Sequence, residues 1–159
     1  MKPKILFILH LPPPIHGAAM MGKYIQESEL VNSSFDCFCI NLATAGSLSD
    51  IGHISLKKLL KYFFLLKHIS HVVREIRPEL VYITPNAGGK AFFKDFIVVQ
   101  MLKSMGCKVI AHYHNKGVSV YQSKWVYNFF YKRFFSNLKV ILLAENLYKD
   151  IAKYVKRED

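Results

Sequence analysis

A chain of 159 residues is long enough to bury the core of one domain, and we expect residues 1–159 to form a single domain. Hydrophobic residues make up 52% of the chain and aromatic residues 14%, which excludes the polar composition of a disordered protein. The formal net charge of +11 favours an anionic partner, namely nucleic acid, a membrane surface or a phosphorylated substrate.

The sequence also argues against a membrane span and a signal peptide. Lysines and a histidine interrupt the longest apolar stretch, around residues 55–76, so it falls short of the eighteen or so apolar residues of a span. The first apolar stretch is short and runs into three prolines without a cleavage site. We therefore expect residues 4–10 to form a buried first strand.

Strand-length apolar runs and helix-length segments alternate along the chain. The predicted strands cover residues 5–9, 35–42, 80–83, 109–113 and 140–143, and the predicted helices cover residues 17–29, 55–76, 90–105, 123–136 and 145–156. Pro78 ends the second helix and Gly106 caps the third. Alternation of this kind predicts an α/β fold, a Rossmann-like open parallel sheet with helices on both faces.

Two helices have unusual patterns. In the second helix, one stripe is apolar and is expected to face the core; it consists of Leu59, Tyr62, Leu66, Ile69, Val73 and Ile76. Phe64 falls instead on the opposite, basic side. The segment 121–135 has eight aromatic residues in fifteen, which is too many for one buried face.

The three cysteines predict neither a disulfide nor a metal site. Cys37 and Cys39 are two residues apart on one strand face, which is poor geometry for a bond between them. Together with Cys107 and the scattered histidines they form no known zinc spacing. We interpret them as small core residues in a reducing cytoplasm, and we expect no metal and no cofactor.

In a parallel open sheet, ligands bind beyond the carboxyl ends of the strands. The loop after the first strand contains His16, Gly17 and Ala18, where small residues at a helix start allow a ligand to approach the backbone. Tight packing of strand against helix explains Gly17 and Ala18 equally well. Neither a dinucleotide fingerprint nor a P-loop is present.

Two further loops carry candidate residues. After the third strand, Asn86, Gly88, Gly89 and Lys90 give a basic helix entrance that suits an anion, although ordinary turn chemistry explains the same residues. After the fourth strand come His112, Tyr113, His114 and Asn115. His114 is nearest the strand end, where a histidine can hydrogen-bond a hydroxyl or transfer a proton, or can be purely structural.

Taken in order, these loops resemble the N-terminal domain of family 4 retaining glycosyltransferases, of the type found in bacterial surface-polysaccharide clusters. The resemblance covers essentially the whole chain and is carried by residues 4–17 (KILFILHLPPPIHG), 80–95 (LVYITPNAGGKAFFKD) and 108–117 (KVIAHYHNKG). It implies half of a GT-B fold, in which an acceptor-binding N-terminal domain faces a C-terminal domain that binds the nucleotide sugar.

The resemblance also implies roles for residues. Gly17 and Ala18 match the small-residue loop near the donor phosphates, although the family's Gly-Gly is Gly-Ala here. His114 matches the catalytic-site histidine that hydrogen-bonds the transferred sugar. The remaining substrate-binding candidates are His16, Asn86, Gly88, Gly89, Lys90 and Asn115. The family's E-x7-E donor signature is absent, so we expect donor binding to need a domain outside this chain, and the chain alone to be inactive.

The implied reaction is hexosyl transfer from a nucleotide sugar to a lipid-linked or oligosaccharide acceptor. Lipid-linked acceptors lie at the inner face of the cytoplasmic membrane, and basic side chains with exposed rings suit such a surface. The membrane-facing candidates are Lys57, Lys61, Phe64, Trp125, Lys132 and Arg133. Packing of the same surface against the missing domain is an equal alternative.

Two other classes remain as rivals. A basic nucleic-acid-binding module fits the charge, but no RRM, KH, OB or zinc-finger pattern occurs, and we expect no nucleic-acid partner. A flavodoxin-like interaction domain has the same layers, but it needs a carboxylate cluster or a flavin loop after its strands, and Asp50 and Asp95 do not form one.

Overall fold

The structure is a computed structural model that describes residues 2–13, 15–42 and 56–158, without the side chain of Lys57. Its strands are β1 (Lys4–Leu9), β2 (Asp36–Asn41), β3 (Leu80–Ile83), β4 (Val109–Tyr113) and β5 (Lys139–Leu142). Within the described residues these strands form one open parallel sheet in the order β2-β1-β3-β4-β5, flanked by helices. The predicted Rossmann-like α/β class is confirmed.

Helices connect the strands. They are α1 (Gly17–Glu27), α2 (Glu29–Ser34), α3 (Leu56–Ile76), α4 (Gly89–Ser104), α5 (Val118–Tyr121), α6 (Trp125–Phe135) and α7 (Tyr148–Ile151). The residue contacts divide the chain into two compact units, Met1–Thr84 and Pro85–Asp159. Whether residues 1–159 fold as a single domain stays a prediction.

In the first unit, β1 is apolar on both sides because parallel strands and helices surround it. Every residue from Ile5 to Leu9 is buried, as its continuous apolar run predicts. Ile5, Phe7 and Leu9 share one face, where residues of α1 and α2 such as Ile25 and Val31 pack against them.

The predicted helix 17–29 is wrong at its end. Helix α1 stops at Glu27, and the hydroxyl of Ser28 accepts a hydrogen bond from the Val31 nitrogen at 3.4 Å, so that a second helix, α2, begins there. Serine at a helix start satisfies a backbone N–H that has no intrahelical partner. The break at Ser28 therefore follows from capping.

Helix α3 has a core face that is shorter than predicted. Ile69, Val73 and Ile76 are buried, but Leu59 is exposed, so the predicted apolar stripe faces the core only in its later turns. The helix ends before Pro78, as expected, with Arg77 at a φ of 49°. The predicted first residue of this helix, Ser55, lies outside the described residues.

In the second unit, α4 ends in the predicted glycine cap. The nitrogen of Gly106 donates to the Lys103 carbonyl at 3.0 Å, and the nitrogen of Cys107 donates to the Leu102 carbonyl at 3.1 Å. This pair of bonds is a Schellman motif, and Gly106 has the positive φ of 79° that the motif requires.

Aromatic side chains fill the space between α4 and α6. The Phe92 ring lies 4.6 Å from that of Tyr131 and 5.5 Å from that of Phe134 between centroids, and all three residues are fully buried. Trp125 and Phe129, on the far side of α6, are exposed. The excess of rings in segment 121–135 is thus divided between a core face and a surface.

Two sequence predictions fail near the sheet edges. The predicted helix 145–156 is a 3-10 turn at Glu145–Leu147 followed by the short α7, although the apolar residues that suggested it, Ile151 and Val155, are both buried. Cys39 is exposed rather than a core residue because β2 is the edge strand of the sheet.

Candidate functional site

His114 lies directly after β4, and its imidazole is polar but poorly solvated. Both ring nitrogens are buried, and neither has a hydrogen-bond partner among the residues that the structure describes. The ring centroid of His112 is 4.2 Å away on the same face of the strand. A buried polar group without a partner costs free energy, and such groups occur where a ligand completes the bonding.

The two histidines are neutral at physiological pH. Burial, and to a smaller extent the neighbouring His114, lower the pKa of His112 to about 4. Burial also lowers the pKa of His114. A neutral imidazole offers one donor and one acceptor nitrogen, which suits hydrogen bonding to a hydroxyl better than storage of a proton.

Asn115 joins the β4–α5 loop to the loop that follows β3. Its side-chain oxygen accepts a hydrogen bond from the backbone nitrogen of Ala87 at 3.2 Å. The hydroxyl of Tyr131, from α6, donates to the carbonyl of Ala87 at 2.6 Å. Ala87 is therefore fixed on both its backbone groups by side chains, and the two candidate loops of this unit are held together.

Asn86 is fixed in a similar way by Asp95. The backbone nitrogen and the side-chain nitrogen of Asn86 both lie 2.8 Å from Oδ2 of Asp95. Burial raises the pKa of Asp95 to about 6, while the two bonds from Asn86 act in the opposite direction. Asn86 is thus a structural partner of a buried carboxyl group, in addition to being a candidate for substrate binding.

The glycines after β3 have different physical roles. A Cβ on Gly88 would lie 2.4 Å from the ring of Tyr121, so this position has no room for a side chain. Gly89 has a φ of 66°, which favours glycine, and a Cβ there would meet nothing within 4 Å. Lys90 is exposed in the first turn of α4.

The start of α4 is electropositive. Gly88 supplies no side-chain cap and the first turn has no acidic residue, so the helix dipole adds to the charge of Lys90. In contrast, the start of α5 is already neutralised. Asp150 accepts hydrogen bonds from the backbone nitrogens of residues 117–119 and from the hydroxyl of Ser119.

His16 has a structural role in the first unit. It is the N-cap of α1, and its Nδ1 accepts a hydrogen bond from the Ala19 nitrogen at 3.3 Å. Gly17 is exposed, and a Cβ there would meet nothing within 4 Å, so close packing does not explain this glycine. Ala18 is half-buried.

Close packing is instead the role of Gly22, which sequence reasoning missed. A Cβ on Gly22 would lie 2.2 Å from the carbonyl oxygen of His10, at the end of β1. The sequence did contain a signal, which was a glycine in the interior of a predicted apolar helix. Glycine destabilises a helix interior, so its presence there indicates a packing or functional role.

The predicted membrane-facing residues are exposed where they are described. Lys61, Phe64, Trp125, Lys132 and Arg133 are exposed, and the side chain of Lys57 lies outside the described residues. The Arg133 guanidinium lies 5.9 Å from the ring centre of Phe129. Among the described residues, no helix combines the length and the hydropathy needed to cross a membrane.

A concavity lies in the second unit beside β5. It measures about 260 Å³ and is lined by apolar and charged side chains, among them Val140, Leu142, Ile151 and Arg157. It includes none of the predicted site residues. Within the described part of the chain, no cluster of three metal-ligating side chains occurs.

Comparison with family models, curated proteins and solved structures finds no match to this chain. The candidate site therefore rests on its own geometry. A flavodoxin-like carboxylate cluster remains without support, because Asp95 is bonded to Asn86 and Asp50 lies outside the described residues.

Proposed function

We propose that this chain is the acceptor-side domain of a GT-B glycosyltransferase. The enzyme would transfer a hexosyl group from a nucleotide sugar to a lipid-linked or oligosaccharide acceptor in bacterial surface-polysaccharide synthesis. The observation that supports this most is the environment of His114. This neutral histidine lies at the carboxyl end of a strand in a parallel sheet, and its buried ring nitrogens have no hydrogen-bond partner among the described residues.

The chemistry assigns His114 a hydrogen-bonding role. In the transfer, the acceptor oxygen bonds to the anomeric carbon, the bond from that carbon to the nucleotide phosphate breaks, and the acceptor proton leaves with that phosphate. A neutral imidazole with a lowered pKa is a weak base, so His114 is suited to orient a sugar hydroxyl. Proton removal is not required of it.

The loop after β3 also supports the proposal that a sugar ligand binds at this edge of the sheet. Because Asp95, Asn115 and Tyr131 hold its backbone, the glycines and Lys90 would meet a ligand without first being ordered. The family's donor signature is absent from this sequence, so the nucleotide sugar would bind through a domain outside this chain. The enzyme would act in the cytoplasm, at the inner face of the membrane.

The test is a transfer assay on the gene product that contains this chain. It would be incubated with UDP- and GDP-hexoses and polyprenyl-diphosphate-linked sugars, and the product would be measured by mass spectrometry. We expect His114→Ala to lower kcat/KM about a hundredfold, as loss of one transition-state hydrogen bond does. His71→Ala, at an exposed histidine of α3, is the control.

Two results would refute the proposal. One is the absence of transfer with every donor. The other is full activity of His114→Ala, which would remove this residue from the site.

A further inference from the structure

Helix α3 has a second apolar face in addition to its core face. Large side chains in its first turns are exposed, and they are Leu56, Leu59, Leu60, Phe63 and Phe64. At 3.6 residues per turn these five fall within an arc of about 140°, and the buried residues Ile69, Val73 and Ile76 lie outside this arc. We refer to the five as the α3 outer face.

The exposure of the α3 outer face is high for large apolar residues. Leu56 is 74% exposed and Phe64 is 64% exposed, and no other part of the described chain covers them. Single exposed apolar residues are ordinary on protein surfaces, whereas contiguous apolar patches mark interaction sites. The α3 outer face is contiguous over two to three helical turns, which is the pattern of an interaction site.

The lysines and arginines of this helix give its first turns a positive charge. From Leu56 to Arg74 the sequence has five lysines and arginines and no aspartate or glutamate. Lys61 and Lys67 are exposed, and Nζ of Lys67 lies 5.0 Å from the ring centre of Phe63. The occupant must therefore accept apolar side chains and be anionic beside them.

We infer that the first half of α3 binds an anionic lipid surface. The helix would lie in the plane of the interface, with its leucines and phenylalanines among the acyl chains and its lysines at the phosphate headgroups. This inference goes beyond glycosyl transfer, since it rests on the exposure and charge of α3 alone.

A lipid surface fits better than a nucleic acid. Three residues of the α3 outer face are leucines, which offer no aromatic plane for a base to stack on. Long lysine side chains beside aliphatic residues suit the boundary between headgroups and acyl chains, where the stem is buried and the ammonium is solvated.

Helix α6 is a weaker candidate than α3. Its exposed large apolar residues are Trp125 and Phe129, and the guanidinium of Arg133 lies near the ring of Phe129. Helix α6 therefore exposes two large apolar side chains, whereas the α3 outer face has five. We therefore assign lipid binding to α3, which includes the predicted Lys57, Lys61 and Phe64 and leaves out Trp125, Lys132 and Arg133.

Vesicle flotation tests the inference. We expect the chain to float with vesicles of phosphatidylcholine and phosphatidylglycerol, and not with phosphatidylcholine alone. Lys61→Gln with Lys67→Gln should weaken the partition constant about thirtyfold, at about 1 kcal/mol for each lysine near the surface. Leu56→Gln with Phe64→Gln should abolish flotation.

Matched variants control for charge and for apolarity. Lys108→Gln with Lys149→Gln removes two exposed lysines elsewhere, and Leu30→Gln with Val120→Gln removes two exposed apolar side chains elsewhere. Both pairs should float like the unaltered chain. Equal loss in test and control pairs would overturn the inference, and so would failure of the unaltered chain to float.

Tryptophan fluorescence identifies the helix that inserts. The single native tryptophan, Trp125, reports on α6. In a Trp125→Phe chain carrying Phe64→Trp, the new indole reports on α3. We expect brominated phosphatidylglycerol to quench the indole at position 64 and to leave Trp125 of the unaltered chain unquenched. Quenching of Trp125 alone would contradict the assignment to α3.

Lipid binding and glycosyl transfer can fail separately. A chain that floats through α3 while its gene product transfers no sugar would leave the lipid inference intact and refute the proposed enzyme. A self-associated chain whose outer face is buried against a second copy, seen by light scattering as a dimer that Leu56→Gln with Phe64→Gln dissociates, would refute the lipid inference.

Discussion

Oδ2 of Asp95 lies 2.8 Å from both the backbone nitrogen and the side-chain nitrogen of Asn86. This arrangement places a carboxyl group in the core of the second unit and uses it to fix the loop after β3. Because the carboxyl group is buried, its pKa is raised to about 6, so the loop that carries the candidate glycines rests on a group that titrates near neutrality.

Asp95→Asn should be more stable than the unaltered chain near neutral pH. The folded state binds the Asp95 proton more tightly than the unfolded state, so this group adds stability as the pH falls from about 6 to about 4. Ionised Asp95 costs about 2–3 kcal/mol at neutral pH, from the size of that shift.

Urea denaturation of both chains between about pH 4 and pH 7.5 measures this effect. We expect the advantage of Asp95→Asn to shrink steadily as the pH is lowered. An advantage that is constant with pH would show that the carboxyl group is not the source.

Asp150→Asn should have the opposite effect. Burial alone would raise the pKa of Asp150, but hydrogen bonds from Ser119 and from three backbone nitrogens together lower it below its usual value. Loss of these charge-assisted bonds should cost about 1–3 kcal/mol. The stabilisation is present above the unfolded pKa near 3.8 and is lost as the pH falls through the lower folded value.

The measurement is the free energy of unfolding of Asp150→Asn across the acid range. Asp36→Asn, at an exposed position of β2, is the matched control and should behave like the unaltered chain. Equal effects of the two substitutions would contradict the role of Asp150 as a cap of α5.

Two glycines of α1 should respond differently to alanine. Gly22→Ala places a Cβ against the His10 carbonyl and should destabilise the chain by about 1–3 kcal/mol. Gly17→Ala has open space and should change stability by less than about 0.5 kcal/mol. Thermal denaturation compares them, and similar melting temperatures would contradict the packing described for Gly22.

The ring of His112 should stay neutral well below the usual histidine range, and the pKa of His114 should also be lower than usual. Burial lowers both pKa values, that of His112 to about 4. Since the unfolded chain takes up protons first, the stability due to these residues is lost as the pH falls from about 6.5 towards 4. NMR titration of the imidazole carbons measures this, and titration of His112 above pH 6.5 would contradict its burial.

The sheet was predictable from sequence because its strands are continuous apolar runs. β3 and β4 match the predicted residues 80–83 and 109–113 in full, and the cap at Gly106 follows from local chemistry. Helix α2 was missed because its start depends on one capping bond at Ser28. Apolar spacing alone suggested residues 145–156, and turns bury Ile151 and Val155 equally well.

The candidate site was predictable only in its residue types. His114 was identified by resemblance. The burial of its ring nitrogens without a hydrogen-bond partner among the described residues depends on how the chain folds around it. The support from Asp95, Tyr131 and Asp150 was not predictable, because these contacts join residues 9 to 44 positions apart without any pattern that links them.

The most direct test of the central claim is whether a sugar acceptor binds at His114. The chain with ¹³C-labelled histidine would be titrated by NMR with a short-chain polyprenyl-diphosphate-linked sugar. We predict that the His114 ring signals shift, together with the amides of Gly88 and Asn115, and that the His71 ring does not. Saturating binding that leaves the His114 ring unshifted, or no binding at all, would contradict the account.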